Sequence, residues 1–262
     1  GRISTYGVVP LSPTLDHVGI LARTVADAAL IFQVVAGPDP RDYRSLAEPV
    51  PDCLDSLEKQ EAPRLGLVRE FFYDHADAEM RAHTDSVAEH LSRAGAQVEE
   101  VTLPPSFRSI VDNARIIMAV EAATYHEEKF RKHCGQYRPG IKKLIEDGLA
   151  ISATEYARAL EVRLQQTACA LPLLKQVDAL LTPGAPGAAP KGLASTGSPI
   201  MQGPWTVMGV PAISLPMGLS QDGLPLAIQL AGPPLAEDRL LAVARWCERV
   251  LDVRLRPPYA GS

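Results

Sequence analysis

Three sets of neighbouring side chains in this sequence are of types that could take part in catalysis. Cys134 directly follows His133, which places a thiol nucleophile beside a base. Adjacent residues of a helix point in different directions, so these two side chains are not expected to meet. The carboxylate pairs Glu99–Glu100 and Glu127–Glu128 and the lysine pair Lys142–Lys143 fall on predicted exposed faces. We interpret all three pairs as solvated surface charges.

Motifs for phosphate, metal and hydrolase chemistry are absent from the 262 residues. There is no GxxxxGK(S/T) or GxGxxG to cradle phosphate, no GxSxG nucleophile elbow, and no HExxH or CxxC to hold a metal ion. The cysteines are scattered, as is typical of reduced thiols in a cytoplasmic protein: Cys53, Cys134, Cys169 and Cys247. By themselves these residues supply no catalytic constellation, and we expect no cofactor and no metal ion.

Composition excludes several classes of partner. With 46% hydrophobic residues, the chain can bury a sizeable core. The formal charge of -5 is spread without a basic stripe, which argues against nucleic acid as a partner. No apolar run reaches the roughly 18 residues that a membrane span requires, and no signal peptide is visible. We expect a globular, cytoplasmic protein without a membrane segment.

The first half of the chain predicts a helix and then a βαβ unit. Thr24 and Asp27 resemble a capping box, and the following apolar spacing predicts a helix that ends before Gly37. A short apolar run at 65–68, a helical pattern over 77–94 and an alternating run over 97–103 come next. This order predicts two parallel strands joined by a helix.

The second half predicts a helical region, a long loop and a hairpin. Helices are expected over 109–176 with a break at "CGQYRPG", followed by a buried strand at 177–182 and a Pro/Gly/Ala-rich loop to about Pro204. The strands 212–217 and 226–231 are apolar on both faces, which predicts central strands covered by helices on each side. Residues 236–251 predict an amphipathic closing helix, so the fold class is α/β.

Three blocks in order resemble the amidase signature family. They are "GRISTYGVVPLSPTLDHVGILARTVADAALIFQVVAGPDPRD", "DALLTPGAPGAAP" and "GVPAISLPMGLSQDGLPLAIQLAGPPLAEDRLLAVARWCE". The resemblance implies a mixed β-sheet covered by helices on both faces, with residues 1–262 forming the C-terminal portion of a single domain. It also implies hydrolysis or transfer of amides by a Ser nucleophile, a second Ser in a cis peptide and a Lys base.

The resemblance also implies which residues border the substrate. The loop after Thr182 and the segment "IMQGPWTVMGVP" would border the cavity, with Met201, Gln202, Trp205 and Thr206 as candidate substrate-binding residues. Trp205 would either offer a flat apolar wall or simply fill the core. Many relatives carry Asn where Thr206 stands, so the substrate class of those members is not carried over.

Asp16 is a recurrent family position for which a hydrogen-bonding role is expected. Gly7, Gly19, Pro211 and Gly218 are family-like positions that would shape the backbone. None of these five is expected to take part in the chemistry.

Three functions are consistent with the sequence. The first is the C-terminal portion of an amidase acting on a small-molecule amide. Its nucleophile, relay, base and oxyanion hole would lie upstream, so this chain alone is expected to be inactive. The second is a noncatalytic amidase-like binding or partner subunit, and the third is an unrelated α/β enzyme that uses Cys134 or a histidine. We also expect exposed strand edges and apolar surface, which a second copy or an N-terminal segment would cover.

Overall fold

The computed structural model describes residues 1–58 and 61–255. The helices in this part of the chain are α1 Val25–Val35, α2 Cys53–Ser56, α3 Phe72–His75, α4 Ala78–Arg93, α5 Ile110–His133, α6 Pro139–Ala150, α7 Ala153–Leu174, α8 Gly203–Met208 and α9 Glu237–Leu251. The strands are β1 Arg64–Leu67, β2 Gln97–Glu100, β3 Ala179–Pro183, β4 Ala212–Leu219 and β5 Pro225–Ala231.

The strands form one mixed sheet in the order β2-β1-β3-β5-β4. β1 pairs in parallel with both β2 and β3, which confirms the predicted βαβ unit. β5 is antiparallel to β3 and to β4, with Leu181 opposite Leu230. The sheet and the helices packed against it confirm the predicted α/β fold with a mixed sheet.

The prediction that both strands of the hairpin are central was wrong for β4. Within the described residues β4 is an edge strand, and its Ala212, Ser214 and Pro216 are exposed. β5 is central and mostly buried. The reason is topological, because the hairpin places β5 between β3 and β4 and β4 then has a neighbour on one side only. Apolar composition alone does not distinguish a central strand from an edge strand.

Local signals set the helix boundaries largely as predicted. The Thr24 side chain accepts from Asp27 N at 3.0 Å, and its hydroxyl donates to the Asp27 carboxylate at 2.8 Å instead of leaving that carboxylate to reach the backbone. Ser152 and Glu155 form a complete capping box at the start of α7. The predicted break is present, with a 3₁₀ turn at Cys134–Gln136 between α5 and α6. The 3₁₀ turn separates α5 from α6, and the capping box at Ser152 separates α6 from α7.

Helix α6 packs tightly on α5 through Gly148. A Cβ placed on Gly148 would lie 1.9 Å from the carbonyl oxygen of Ala119, which is closer than any real contact. Replacing Gly148 by alanine is therefore expected to lower the free energy of unfolding by about 3 kcal/mol, since the two helices must separate. Chemical denaturation measures this loss. Gly140→Ala in the same helix is the matched control, because a Cβ there meets nothing within 4 Å. Equal effects at the two sites would contradict the prediction.

Among the described residues, no helix combines the length and the apolar character needed to cross a membrane.

Candidate functional site

A cleft of about 830 Å³ opens where β3 ends and β5 begins. The cleft lies at the carboxyl ends of the parallel strands β1, β2 and β3. Ligands of α/β proteins commonly bind at the carboxyl ends of such strands. The cleft is lined by Met80, residues 184–190, residues 195–199, Gln202 and residues 225–227. A second, smaller pocket of about 180 Å³ lies beside Phe107. The larger cleft is the candidate functional site.

The loop that follows β3 forms most of the cleft wall. β3 is buried along its whole length, and Gly184 N donates to Ala227 O at 2.8 Å, which extends the sheet pairing by one residue. A Cβ on Gly184 would lie 2.7 Å from that same oxygen, so close pairing requires glycine here. Further along, Asp77 N donates to Pro186 O at 2.7 Å and tethers the loop to the start of α4.

Two glutamines fix the opposite wall to the sheet. Gln202 Nε2 donates to Gly184 O, and both residues line the cleft. Gln229, which is buried in β5, donates through Nε2 to Met201 O at 3.0 Å and approaches Thr182 Oγ1 at 3.5 Å. Sequence reasoning missed Gln229, although a glutamine inside the apolar strand "LAIQLA" was a usable signal. Together the two side chains hold residues 201–202 against β3.

The structure places the four predicted substrate-binding residues in different surroundings. Gln202 is exposed and lines the cleft, whereas Met201 is fully buried and Thr206 is half-buried within α8. Trp205 is only 2% exposed, and its ring stacks on Phe72 with centroids 5.3 Å apart and an interplanar angle of 10°. The substrate-binding role of all four stays a prediction, and of them it is Gln202 that the structure brings to the cleft.

A buried carboxylate that sequence reasoning missed joins the first residues of the chain to the helices. Glu121 in α5 is 8% exposed, and it accepts from Ser12 Oγ at 2.6 Å and from Thr14 N and Oγ1 at 3.0 and 2.7 Å. Tyr156 OH also donates to it, at 3.1 Å. Because four donors bind this carboxylate, we assign it a structural role. The signal was weak, because one glutamate in a polar helix looks like a surface residue.

Arg163 in α7 joins this network to α8 and also donates through a terminal nitrogen to Thr14 O at 3.4 Å. Its Nε donates to Val207 O at 2.8 Å, and burial lowers the pKa of the guanidinium. Burial also raises the pKa of Tyr156, with the nearby Glu121 carboxylate adding to the effect. The network therefore runs from residues 12–14 through α5 and α7 to the helix that carries Trp205.

The remaining candidates lie outside the cleft. Asp16 accepts from Leu11 N at 2.8 Å and from Ser12 N at 3.1 Å, which matches the hydrogen-bonding role expected for it. Lys142 and Lys143 pair with acidic residues one turn along the helix, as solvated helix lysines do.

The cysteines divide into two buried and two exposed thiols. Cys53 and Cys247 are buried, and burial raises the pKa of their thiols to about 11 and about 12. Cys134 and Cys169 are exposed. Across residues 1–58 and 61–255 no group of three or more His, Cys, Asp or Glu side chains is arranged to hold a metal ion.

The fold and the cleft define an α/β protein with a ligand-sized site at the carboxyl edge of a mixed sheet. The family model named Amidase matches residues 1–241, and the chain belongs to this family. It is similar to an amidase from Pseudomonas putida, with 32% identity over 276 residues that cover 98% of this chain and 58% of that protein. It is also similar to a glutamyl-tRNA(Gln) amidotransferase subunit from Synechococcus sp. (strain RCC307), with 31% identity covering 99% of this chain and 60% of that protein.

A solved structure of 6-aminohexanoate cyclic dimer hydrolase complexed with substrate has the same fold. The TM-score is 0.83 at 23% sequence identity, and the match covers 99% of this chain and 60% of that one. The chain thus spans about three fifths of the length of the relatives it matches.

Proposed function

We propose that the protein to which this chain belongs hydrolyses a carboxylic amide, and that this chain supplies one wall of the substrate cleft. The observation that carries the proposal is the 830 Å³ cleft at the carboxyl edge of the sheet, in a chain whose family match covers residues 1–241. A volume of this size suits a small organic substrate. The amidase from Pseudomonas putida supports an amide as that substrate.

By the resemblance, the Ser, cis-Ser and Lys would lie upstream of the blocks that this chain carries. We therefore propose that the 262-residue chain does not turn over amides by itself. The test follows ammonia release from a panel of small amides, comparing this chain with the complete protein that contains it. Turnover by the complete protein alone supports the proposal. Turnover by this chain that thiol modification abolishes would favour chemistry on a cysteine.

Gln202 is our candidate for direct contact with the substrate. Replacing it by alanine removes the bond to Gly184 O and the polar group on the cleft wall. We expect kcat/KM of the complete protein to fall about tenfold, which corresponds to the loss of one hydrogen bond. Gln165→Ala on the exposed side of α7 is the matched control and should leave kcat/KM unchanged. Equal activity of the two variants would contradict a role for Gln202.

Met201, Trp205 and Thr206 do not line the cleft, so any effect on the substrate would be indirect. We propose that Met201 and Trp205 support Gln202 by filling the space beneath its side chain. Thr206 would belong to the short helix α8, which begins directly after Gln202. Thr206 N donates to Gln202 O at 3.2 Å, which supports this assignment. Substrate specificity would then depend on how firmly this short helix is held.

A role as a partner subunit is the second candidate. The amidotransferase relative from Synechococcus sp. is by its name one subunit of a larger enzyme. An apolar surface near the start of the chain favours association as well, since Tyr6, Val9 and Val34 are exposed and Leu21 is 99% exposed. Sedimentation of the purified chain distinguishes a monomer from an assembly of copies.

We also propose a cytoplasmic location. All four cysteines lie among the described residues and are unpaired thiols, which is usual in a reducing compartment.

A further inference from the structure

We infer that the cleft accepts amides without a charged group and rejects most strongly those that carry a carboxylate. This inference names the substrate class of the proposed function and rests on that function. It begins from the lining of the cleft, which contains no Asp, Glu, Lys, Arg or His among the residues that the structure describes. A charged ligand group placed there would lose water without gaining a counter-charge.

The loop that forms the wall is itself almost free of charge. Residues 184–198 contain a single ionisable side chain, Lys191, which is exposed and is not part of the lining. The polar groups that face the cleft are hydroxyls, backbone groups and the amide of Gln202. Ser195 Oγ and Ser198 Oγ accept from Gly197 N and Ile200 N at 3.1 and 3.3 Å, so they also stabilise the loop. Such neutral donors and acceptors suit an uncharged amide.

Two carboxylates lie at the start of α4, the helix whose Met80 lines the cleft. Asp77 lies against the loop, since a Cβ on Gly187 would be 2.1 Å from its Oδ2, and its Oδ1 caps α4 by accepting from Met80 N at 2.7 Å. Glu79, two residues further, accepts from Gln221 N at 2.7 Å. An anionic ligand would meet no cation on the described lining and would approach the Asp77 carboxylate beside Gly187. A cationic ligand would lack a counter-charge on the lining and would be rejected less strongly.

The test uses three amides of similar chain length that differ in one terminal group. They are pentanamide, which is neutral, 5-aminopentanamide, which is a cation, and 4-carbamoylbutanoate, which is an anion. Dissociation constants for the 262-residue chain come from NMR titration, and kcat/KM values come from the complete protein. We expect pentanamide to bind at least about tenfold more tightly than the anion, with the cation between them. Equal binding of all three, or no binding of pentanamide, overturns the inference.

Paired variants at Thr196 provide a second test that reverses the preference. Thr196 lines the cleft and is exposed, so a longer or charged side chain can be placed there without strain. Thr196→Lys should improve binding of 4-carbamoylbutanoate several-fold, and Thr196→Asp should improve binding of 5-aminopentanamide. Lys191→Gln is the control and should leave the order of the three ligands unchanged.

The two readouts separate this inference from the proposed function. If the binding order is as expected but the complete protein hydrolyses no amide, the proposed function is wrong and the inference of a neutral cleft is supported. If the complete protein hydrolyses all three amides equally well, the inference of a neutral cleft is wrong and the proposed function is supported. Thr196 variants that shift no affinity also overturn the inference.

Discussion

Replacing Glu121 by leucine is expected to lower the free energy of unfolding by about 3–5 kcal/mol. The carboxylate accepts four hydrogen bonds in a site that is 8% exposed, from Ser12 Oγ, from two groups of Thr14 and from Tyr156 OH. Leucine would leave these donors unpaired and would remove a negative charge that favours the protonated guanidinium of half-buried Arg163. Urea denaturation followed by circular dichroism measures the loss.

A surface glutamate of the same helix is the matched control. Glu128 pairs with Lys132 at 2.7 Å while remaining largely exposed, so Glu128→Leu should change stability by less than about 1 kcal/mol. Glu121→Gln keeps the shape and one acceptor oxygen, and its loss should fall between the two. Similar losses for Glu121→Leu and Glu128→Leu would contradict the prediction that the buried network makes Glu121 the more important of the two.

Replacing Trp205 by alanine is the second large effect, with an expected loss of about 3–5 kcal/mol. The indole is 2% exposed and stacks on Phe72, and the ring centroid of Phe107 lies 6.1 Å from its own. Alanine would leave a cavity beneath α8. Trp246→Ala on α9 is the matched control, because that side chain is only half-buried and its loss should be smaller. Thermal unfolding of both variants measures the difference.

The Trp205→Phe variant separates the two roles that the sequence left open for this residue. Trp205 Nε1 is buried without a hydrogen-bond partner among the described residues, so phenylalanine removes an unpaired donor and keeps an aromatic ring against Phe72. We expect a stable protein with unchanged affinity for pentanamide, as befits a core residue. A loss of affinity at unchanged stability would show that Trp205 is a wall of the substrate site.

Local chemistry explains why most elements could be predicted. Thr24 and Ser152 cap their helices through hydrogen bonds to residues three positions away, and Gly37 lies just beyond the end of the first helix. Contacts between residues three positions apart can be predicted from the local sequence. The parallel pairing of β1 and β2 also followed from order alone, since a helix lies between them.

Contacts between distant residues could not be predicted in the same way. Glu121 bonds to residues 12–14, which are more than a hundred positions away, and Gln229 bonds to Met201 across two elements. The edge position of β4 depends on strand order, which its apolar composition does not encode. The separation of Gln202 from Trp205, one at the cleft and one in the core, depends on how α8 packs on Phe72.

The sequence by itself determined the fold class, the helix boundaries and the family, because short-range caps, hydrophobic periodicity and three ordered motifs carry that information. The tertiary structure alone decided which polar residues are buried, which of the four candidate residues reaches the cleft, and that the described cleft wall is uncharged. Burial and charge surroundings arise from residues that are far apart in the chain, so no local pattern records them.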